Sequence, residues 1–370
     1  MLGRLTADPA RFAARSWGRT ADLSERLGPF SDLFSLDAAD ALLGGVVQPP
    51  AVRMVRAGSV LAPGDYCRPT RVGGRLVDHV VDPRRIADQL AAGATLVFQS
   101  LHRQVRPLTA FADRLTADLG HPVQVNAYLT PPAAVGLAEH ADEHDVFAVQ
   151  LDGTKHWWVD GLGHVTLRPD DVLYIPAGCR HRAEAQHESS LHLTVGVLRV
   201  TYRHVIERVL RQRIDELDTP LPLGYRADRA ADVERGGARA LAAAIARLQT
   251  AVPAQIAATE RERVIPAYAR HGHLASAAGL ERITPATSIR WVTSVPTFAA
   301  APDSDDGRRW VHVDLGDRRL RIPAVGRAAI EFIAREGCVA VGSLPGLDPA
   351  SQCAVARRLV GERACVIEPS

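Results

Sequence analysis

The chain has 370 residues, 46% of them hydrophobic and 23% charged, and a formal net charge of +2, which suits two or three packed domains and excludes a disordered protein. So even a charge balance argues against nucleic acid or an anionic membrane surface as partner, and no run of about 18 apolar residues offers a membrane span. Five scattered cysteines without a CxxC spacing exclude a disulfide framework or zinc knuckle and point to a reducing cytoplasm.

In chain order, MLGRLTADPARF is interrupted at Asp8 and Pro9 before an apolar run forms, so no signal-peptide core is predicted. From about 80 to 200, short apolar strands at 95–98, 123–129, 146–151, 156–159 and 172–175 are separated by DG, DGLG and PDD turns. Helical stretches at 83–92 and 107–119 stand among them, the second with Leu108, Phe111, Leu115 and Leu119 near helical spacing. Such regular short strands predict a small antiparallel barrel or double-sheet sandwich. The first 80 residues, with Trp17, the stretch 29–34 and a helix-like 36–43, are expected to wrap or extend that barrel.

The chemistry is concentrated in NAYLTPPAAVGLAEHADEHDVFAVQLDGTKHWWV, which starts at Asn126. His140 and Asp142 stand at i and i+2, so on a strand both project to one face and can grip one ion. His144 has the same spacing from Asp142, and the strand alone does not choose between the two. A third ligand is offered by His181 in DDVLYIPAGCRH, just beyond a strand and a Pro-Ala-Gly turn; His187 and His192 compete with it. Two histidines and one carboxylate on one face of an octahedron leave adjacent positions open, as non-heme iron(II) oxygenases require. Two open positions suit a 2-oxo acid and one suits O2. Lys155, across the Leu151-Asp152-Gly153 turn, is placed to take the far carboxylate, with Tyr128 as a hydroxyl donor and Asn126 on the same face. His192 is expected to point from the next strand into the pocket, and Trp157 and Trp158 read as packing.

After Val200 the pattern turns helical. Ile206, Val209, Leu210, Ile214 and Leu217 form one apolar stripe, and Leu241, Ile245, Leu248 and Val252 another; the charged 226–237 between them reads as a loop. From about 276 a separate module is expected: a hairpin over 310–322 turning at Gly316 and Asp317, a helix over 324–335, a helix from Asp348-Pro349 to 360, and a strand at 364–367. Asp348 can accept the free N–H groups of that helix. The order resembles a winged helix.

The segments AAGATLVFQSLHR, GHPVQVNAYLTPP, HADEHDVFAVQLDGTKHWWV, LYIPAGCRH and SSLHLTVGV resemble those of the JmjC-type ribosomal oxygenases, the cupin-like 2-oxoglutarate-dependent protein hydroxylases. The resemblance covers most of the chain and is strongest over 91–196. It implies that His140, Asp142 and His181 are the metal ligands, and so favours His140 over His144. It also implies that Lys155 and Tyr128 receive 2-oxoglutarate, with Asn126, His192 and Thr194 beside it. The fold it implies is α+β: a double-stranded β-helix (cupin/JmjC) barrel in 1–200, a helical dimerisation region in 201–275 and a C-terminal winged helix in 276–370. Between Lys155 and His181 the chain is shorter than in the better-known ribosomal oxygenases, which trims a loop at the substrate entrance. The expected activity is Fe(II)-, 2-oxoglutarate- and O2-dependent hydroxylation of a His or Arg side chain in a ribosomal protein or other polypeptide, by a cytoplasmic homodimer. Alternatives are a peptide-tailoring hydroxylase, a cupin sensor that regulates transcription through the winged helix, and a non-oxygenase cupin.

Overall fold

The computed structural model describes residues 1–368, apart from positions 133, 135–137, 186, 211–214, 224–225, 227–228, 252, 254–255, 257–259, 261–272, 294–295, 302–308 and 316–318. The chain divides into two compact units, Met1–Arg199 and Val200–Ser370.

Thirteen strands are described in the first unit: β1 (Asp22–Ser24), β2 (Val52–Arg56), β3 (Ser59–Val60), β4 (Cys67–Val72), β5 (Arg75–Val81), β6 (Thr95–Phe98), β7 (Val123–Thr130), β8 (Asp145–Asp152), β9 (Lys155–Val159), β10 (Gly163–Leu167), β11 (Val172–Ile175), β12 (His181–Ala185) and β13 (Ser190–Val197). Eight form one sheet in the order β1-β11-β8-β13-β7-β6-β2-β3, three form a second in the order β10-β9-β12, and β4 and β5 make a hairpin. Side chains alternate between the two faces of each strand. On the large sheet Val123, Val125, Ala127, Phe147, Val149, Leu193 and Val195 bury one face against the helix Arg106–Leu119 through Leu108, Phe111 and Leu115. The opposite parity turns Tyr128, Thr130, His192 and Thr194 into a cavity that Lys155 and Trp157 of the small sheet also line. Trp157, Val159, Leu167, Leu173 and Ile175 form a second apolar cluster.

The leading segment does more than wrap the barrel: β2 pairs with β6, placing Arg53 opposite Val97. Asp170 adopts φ 74°, a left-handed conformation that Asp tolerates better than most residues. Its carboxylate accepts from the Phe30 amide at 3.2 Å.

In the second unit the helix Ala230–Thr250 starts inside the charged stretch expected to be a loop. The reason is local: alanines favour the helix, and Asp232 pairs with both Arg229 and Arg235 at three-residue spacing, which supports a helix more than Gly236 and Gly237 weaken it. Helices Tyr202–Leu210 and Asp215–Asp218 precede it; Ile214, Val252 and the Gly316-Asp317 turn lie outside the described residues. Six further strands come after it: β14 (Ser288–Trp291), β15 (Thr297–Ala301), β16 (Trp310–Asp314), β17 (Arg319–Pro323), β18 (Cys338–Ala340) and β19 (Cys365–Ile367). They form two three-stranded sheets, β18-β14-β19 and β15-β16-β17. Helices Arg327–Glu336 and Pro349–Gly361 share one core with them through Ile330, Ile333, Ala356 and Leu359. The Asp348 carboxylate accepts from the Ala350 and Ser351 amides, closing the N-terminus of the latter helix.

Candidate metal centre and cavity

His140 is tied to the start of β12 by a two-way backbone bridge: its amide donates to the His181 carbonyl at 3.1 Å and the His181 amide returns the bond at 2.9 Å. The Asp142 carbonyl accepts from the Gly178 amide at 2.8 Å. These bonds bring two sequence-distant segments together, and the donor atoms of His140, Asp142 and His181 all lie within 4.8 Å of one another. Nε2 of His140 is 3.8 Å from one Asp142 oxygen and Nε2 of His181 is 3.7 Å from the other. Both are too long for hydrogen bonds, so the three donors converge on a shared point without satisfying one another.

Each histidine is oriented from behind. Nδ1 of His140 lies 2.8 Å from the Ala138 carbonyl, and Nδ1 of His181 lies 3.0 Å from that of Cys179. A carbonyl only accepts, so both rings carry a proton on Nδ1 and turn Nε2 inward, the nitrogen left to a metal. Burial, the largest influence on His181, lowers its pKa and favours the neutral form. Two imidazoles and one carboxylate on one side of a point fit iron(II) with neighbouring positions open.

His144 is not in this cluster. Its ring sits over Gly196, where an added Cβ would come within 2.7 Å of it. His187 is exposed.

Behind the three donors the cavity encloses about 270 Å³. Lys155 enters it from β9, two residues after Gly153. That glycine has φ +62° and no room for a side chain, since a Cβ would lie 1.9 Å from the Ser189 carbonyl oxygen. The Lys155 ammonium is buried and donates to Thr130 Oγ1 at 3.1 Å; desolvation lowers its pKa to about 7. No carboxylate among the described residues pairs with it. His192 stacks on Tyr128 with ring centroids 5.1 Å apart and meets the edge of Trp157 at 5.7 Å. Its Nδ1 is buried without a hydrogen-bond partner, and burial, then Lys155, holds its pKa well below the usual value. Thr194 also lines the cavity. Asn126 pairs with it across the strands but spends its Oδ1 on the Ser100 amide at 2.9 Å.

The JmjC domain model matches residues 100–166 and 162–205, a span that contains every donor of the metal centre. That segment is similar to a JmjC domain. Over 139 residues it is 33% identical to ribosomal oxygenase 2 of Mus musculus, covering 32% of this chain and 30% of that protein. Over 216 residues it is 29% identical to ribosomal oxygenase 1 of Gallus gallus, covering 51% and 35%. The match to the bifunctional lysine-specific demethylase and histidyl-hydroxylase NO66 of Brugia malayi is 31% over 158 residues, covering 35% and 22%. The chain thus spans about a third or less of the length of these curated relatives. Among solved structures, the ribosomal oxygenase YcfD of Escherichia coli in complex with cobalt and 2-oxoglutarate shares the fold, with TM-score 0.54, 19% identity and 99% of each chain covered.

Sequence reasoning passed over Arg53, Thr95, Thr130 and the cavity-facing position of Trp157. Arg53 had a signal: in Val52-Arg53-Met54 it alternates with two core residues, so it must face away from the core.

Proposed function

We propose that this chain is an iron(II)- and 2-oxoglutarate-dependent oxygenase that hydroxylates a side chain of a ribosomal protein or another polypeptide. The observation that carries this reading is the pairing of a two-histidine, one-carboxylate donor set with a buried, anion-free ammonium in the same cavity. A structural lysine would not be held there against its desolvation cost without an anion to receive. His140, Asp142 and His181 would hold the ion, and Lys155 with Thr130 the distal carboxylate of 2-oxoglutarate. Iron(II) with 2-oxoglutarate and O2 supplies one oxygen atom for a C–H bond, with succinate and carbon dioxide as the other products.

The protein contributes placement and dryness. The carbonyls of Ala138 and Cys179 hold the histidine rings in one orientation. Trp157 and His192 wall the space between the metal donors and Lys155 and exclude water. Tyr128 and Thr194, which the resemblance sets at or beside 2-oxoglutarate, line the lumen face of the large sheet in reach of an entering side chain as well, and Asn126 is fixed beside them. The names of the relatives support a ribosomal protein as target, and that of the Brugia malayi relative a histidine side chain; arginine is the other side chain that the sequence resemblance implies, and a tailored peptide is the alternative polypeptide. Anaerobic reconstitution with iron(II) and 2-oxoglutarate, followed by O2, should yield succinate, and the His181→Ala protein should yield none. Absence of succinate together with absence of 2-oxoglutarate binding overturns the reading.

We also propose that 201–275 is a dimerisation region and 276–370 a winged-helix module. Exposed Leu241, Ile245 and Leu248 on one side of the helix Ala230–Thr250 support burial against a second copy, and light scattering of the purified chain tests it. No described helix is long and apolar enough to cross a membrane, and free cysteines support a cytoplasmic location.

A further inference from the structure

Besides Lys155, a second cation lines the cavity. Arg53, on β2, faces the lumen in a row that runs across the large sheet: it is paired with Val97, Val97 with Tyr128, and Tyr128 with His192. Lys155 belongs to another level. Its partner Thr130 lies against Thr95 at 3.4 Å, and Thr95 pairs with Val55, two residues along β2 from Arg53. Two residues of strand are about 7 Å, so the backbone of the Arg53 row is offset along the sheet from the level of Lys155 and Thr130. The Arg53 guanidinium stands beside the Tyr128 hydroxyl and opposes the rise in its pKa that burial causes. Its Nε is buried without a hydrogen-bond partner. No carboxylate among the described residues comes within ion-pair distance of it, and among those residues Asp142 is the sole acidic one lining the cavity.

The charges then do not balance. Asp142, a divalent ion and a 2-oxoglutarate dianion together leave one negative charge, which Lys155 cancels. Arg53 stands over as an unmatched positive charge beside Tyr128. Resting on the oxygenase reading, we propose that Arg53 is a specificity-determining residue that seats the acceptor group of the substrate side chain, taking a carboxylate best, a neutral acceptor less well, and rejecting guanidinium and ammonium groups. Guanidinium matches carboxylate with two parallel hydrogen bonds. A second guanidinium brought to the same half-buried wall meets like-charge repulsion that water screens only in part. Of histidine and arginine, the two side chains proposed above, arginine is therefore disfavoured, and an acidic side chain enters as the better match.

The test uses the full chain loaded with zinc(II) and saturating 2-oxoglutarate. The Arg53 Nε–H resonance is assigned by its loss in Arg53→Met, then followed during titration with acetate, acetamide and methylguanidinium. Acetate should shift it saturably, acetamide at higher concentration, and methylguanidinium not at all over the same range. Calorimetry on Arg53→Met and Arg53→Gln should give 2-oxoglutarate dissociation constants within about twofold of wild type, which also shows that both variants fold. The proposal is overturned if methylguanidinium shifts the resonance at or below the acetate concentration, if no probe shifts it, or if both variants lose 2-oxoglutarate as severely as Lys155→Met. Failure of the wild-type protein to bind 2-oxoglutarate would instead remove the oxygenase reading, and this inference with it.

Discussion

Lys155→Met separates function from stability at one atom. The ammonium is buried, its one hydrogen bond in the cavity is to Thr130, and desolvation lowers its pKa from 10.5 to about 7. Between those two values the unfolded chain binds more protons than the folded one, so this group makes the apoprotein more stable as pH rises through that window. Below about 7 the folded lysine is charged as well, and the full cost is present, on the order of 4 kcal/mol. Methionine fills similar volume without that cost, so the apoprotein should gain about 2–4 kcal/mol at pH 6. The same change removes the charged partner of the dicarboxylate, a loss of about 3–4 kcal/mol, or a dissociation constant for 2-oxoglutarate raised roughly 100- to 1,000-fold. Urea denaturation of the metal-free protein and calorimetry of the zinc(II) form measure the two effects. A variant that binds 2-oxoglutarate within threefold of wild type, or is less stable than wild type at pH 6, refutes the reasoning.

The same lysine sets a pH dependence. Above about 7 it must take up a proton to bind the dianion, so affinity should fall by up to about tenfold per pH unit there, with proton uptake visible when calorimetry is repeated in buffers of different ionisation enthalpy. His140→Ala or Asp142→Ala should abolish manganese(II) binding followed by water-proton relaxation, whereas His144→Ala, outside the donor cluster, should bind within twofold of wild type. Gly153→Ala forces a Cβ against the Ser189 carbonyl at a positive φ and should cost about 3 kcal/mol or more in urea denaturation. Gly196→Ala displaces only the movable His144 ring and should cost about 1–2 kcal/mol.

Strands β6, β7, β8, β9 and β11 were legible because each is a short apolar run set off by turn residues, whereas β10, Gly163–Leu167, has only Val165 and Leu167 to mark it. The donor set was readable for a different reason: few residue types hold a metal, and HxD followed by a lysine and a distant histidine restricts their use. The choice of His140 over His144 was not local. It is made by the backbone bridge to His181, a contact across 41 residues that i+2 spacing cannot report. Arg53 escaped notice because β2 lies before the regular block and joins the barrel only through β6. The helix over 230–250 was hidden by its charges, which read as loop until Asp232 is seen to pair on both sides.

An anaerobic crystal structure with manganese(II) and 2-oxoglutarate bears most directly on the metal centre. It should show one anomalous peak about 2 Å from Nε2 of His140, Nε2 of His181 and an Asp142 oxygen, with the distal carboxylate of the ligand on Lys155. An ion held by His144 instead, or a dicarboxylate seated away from Lys155, would contradict it.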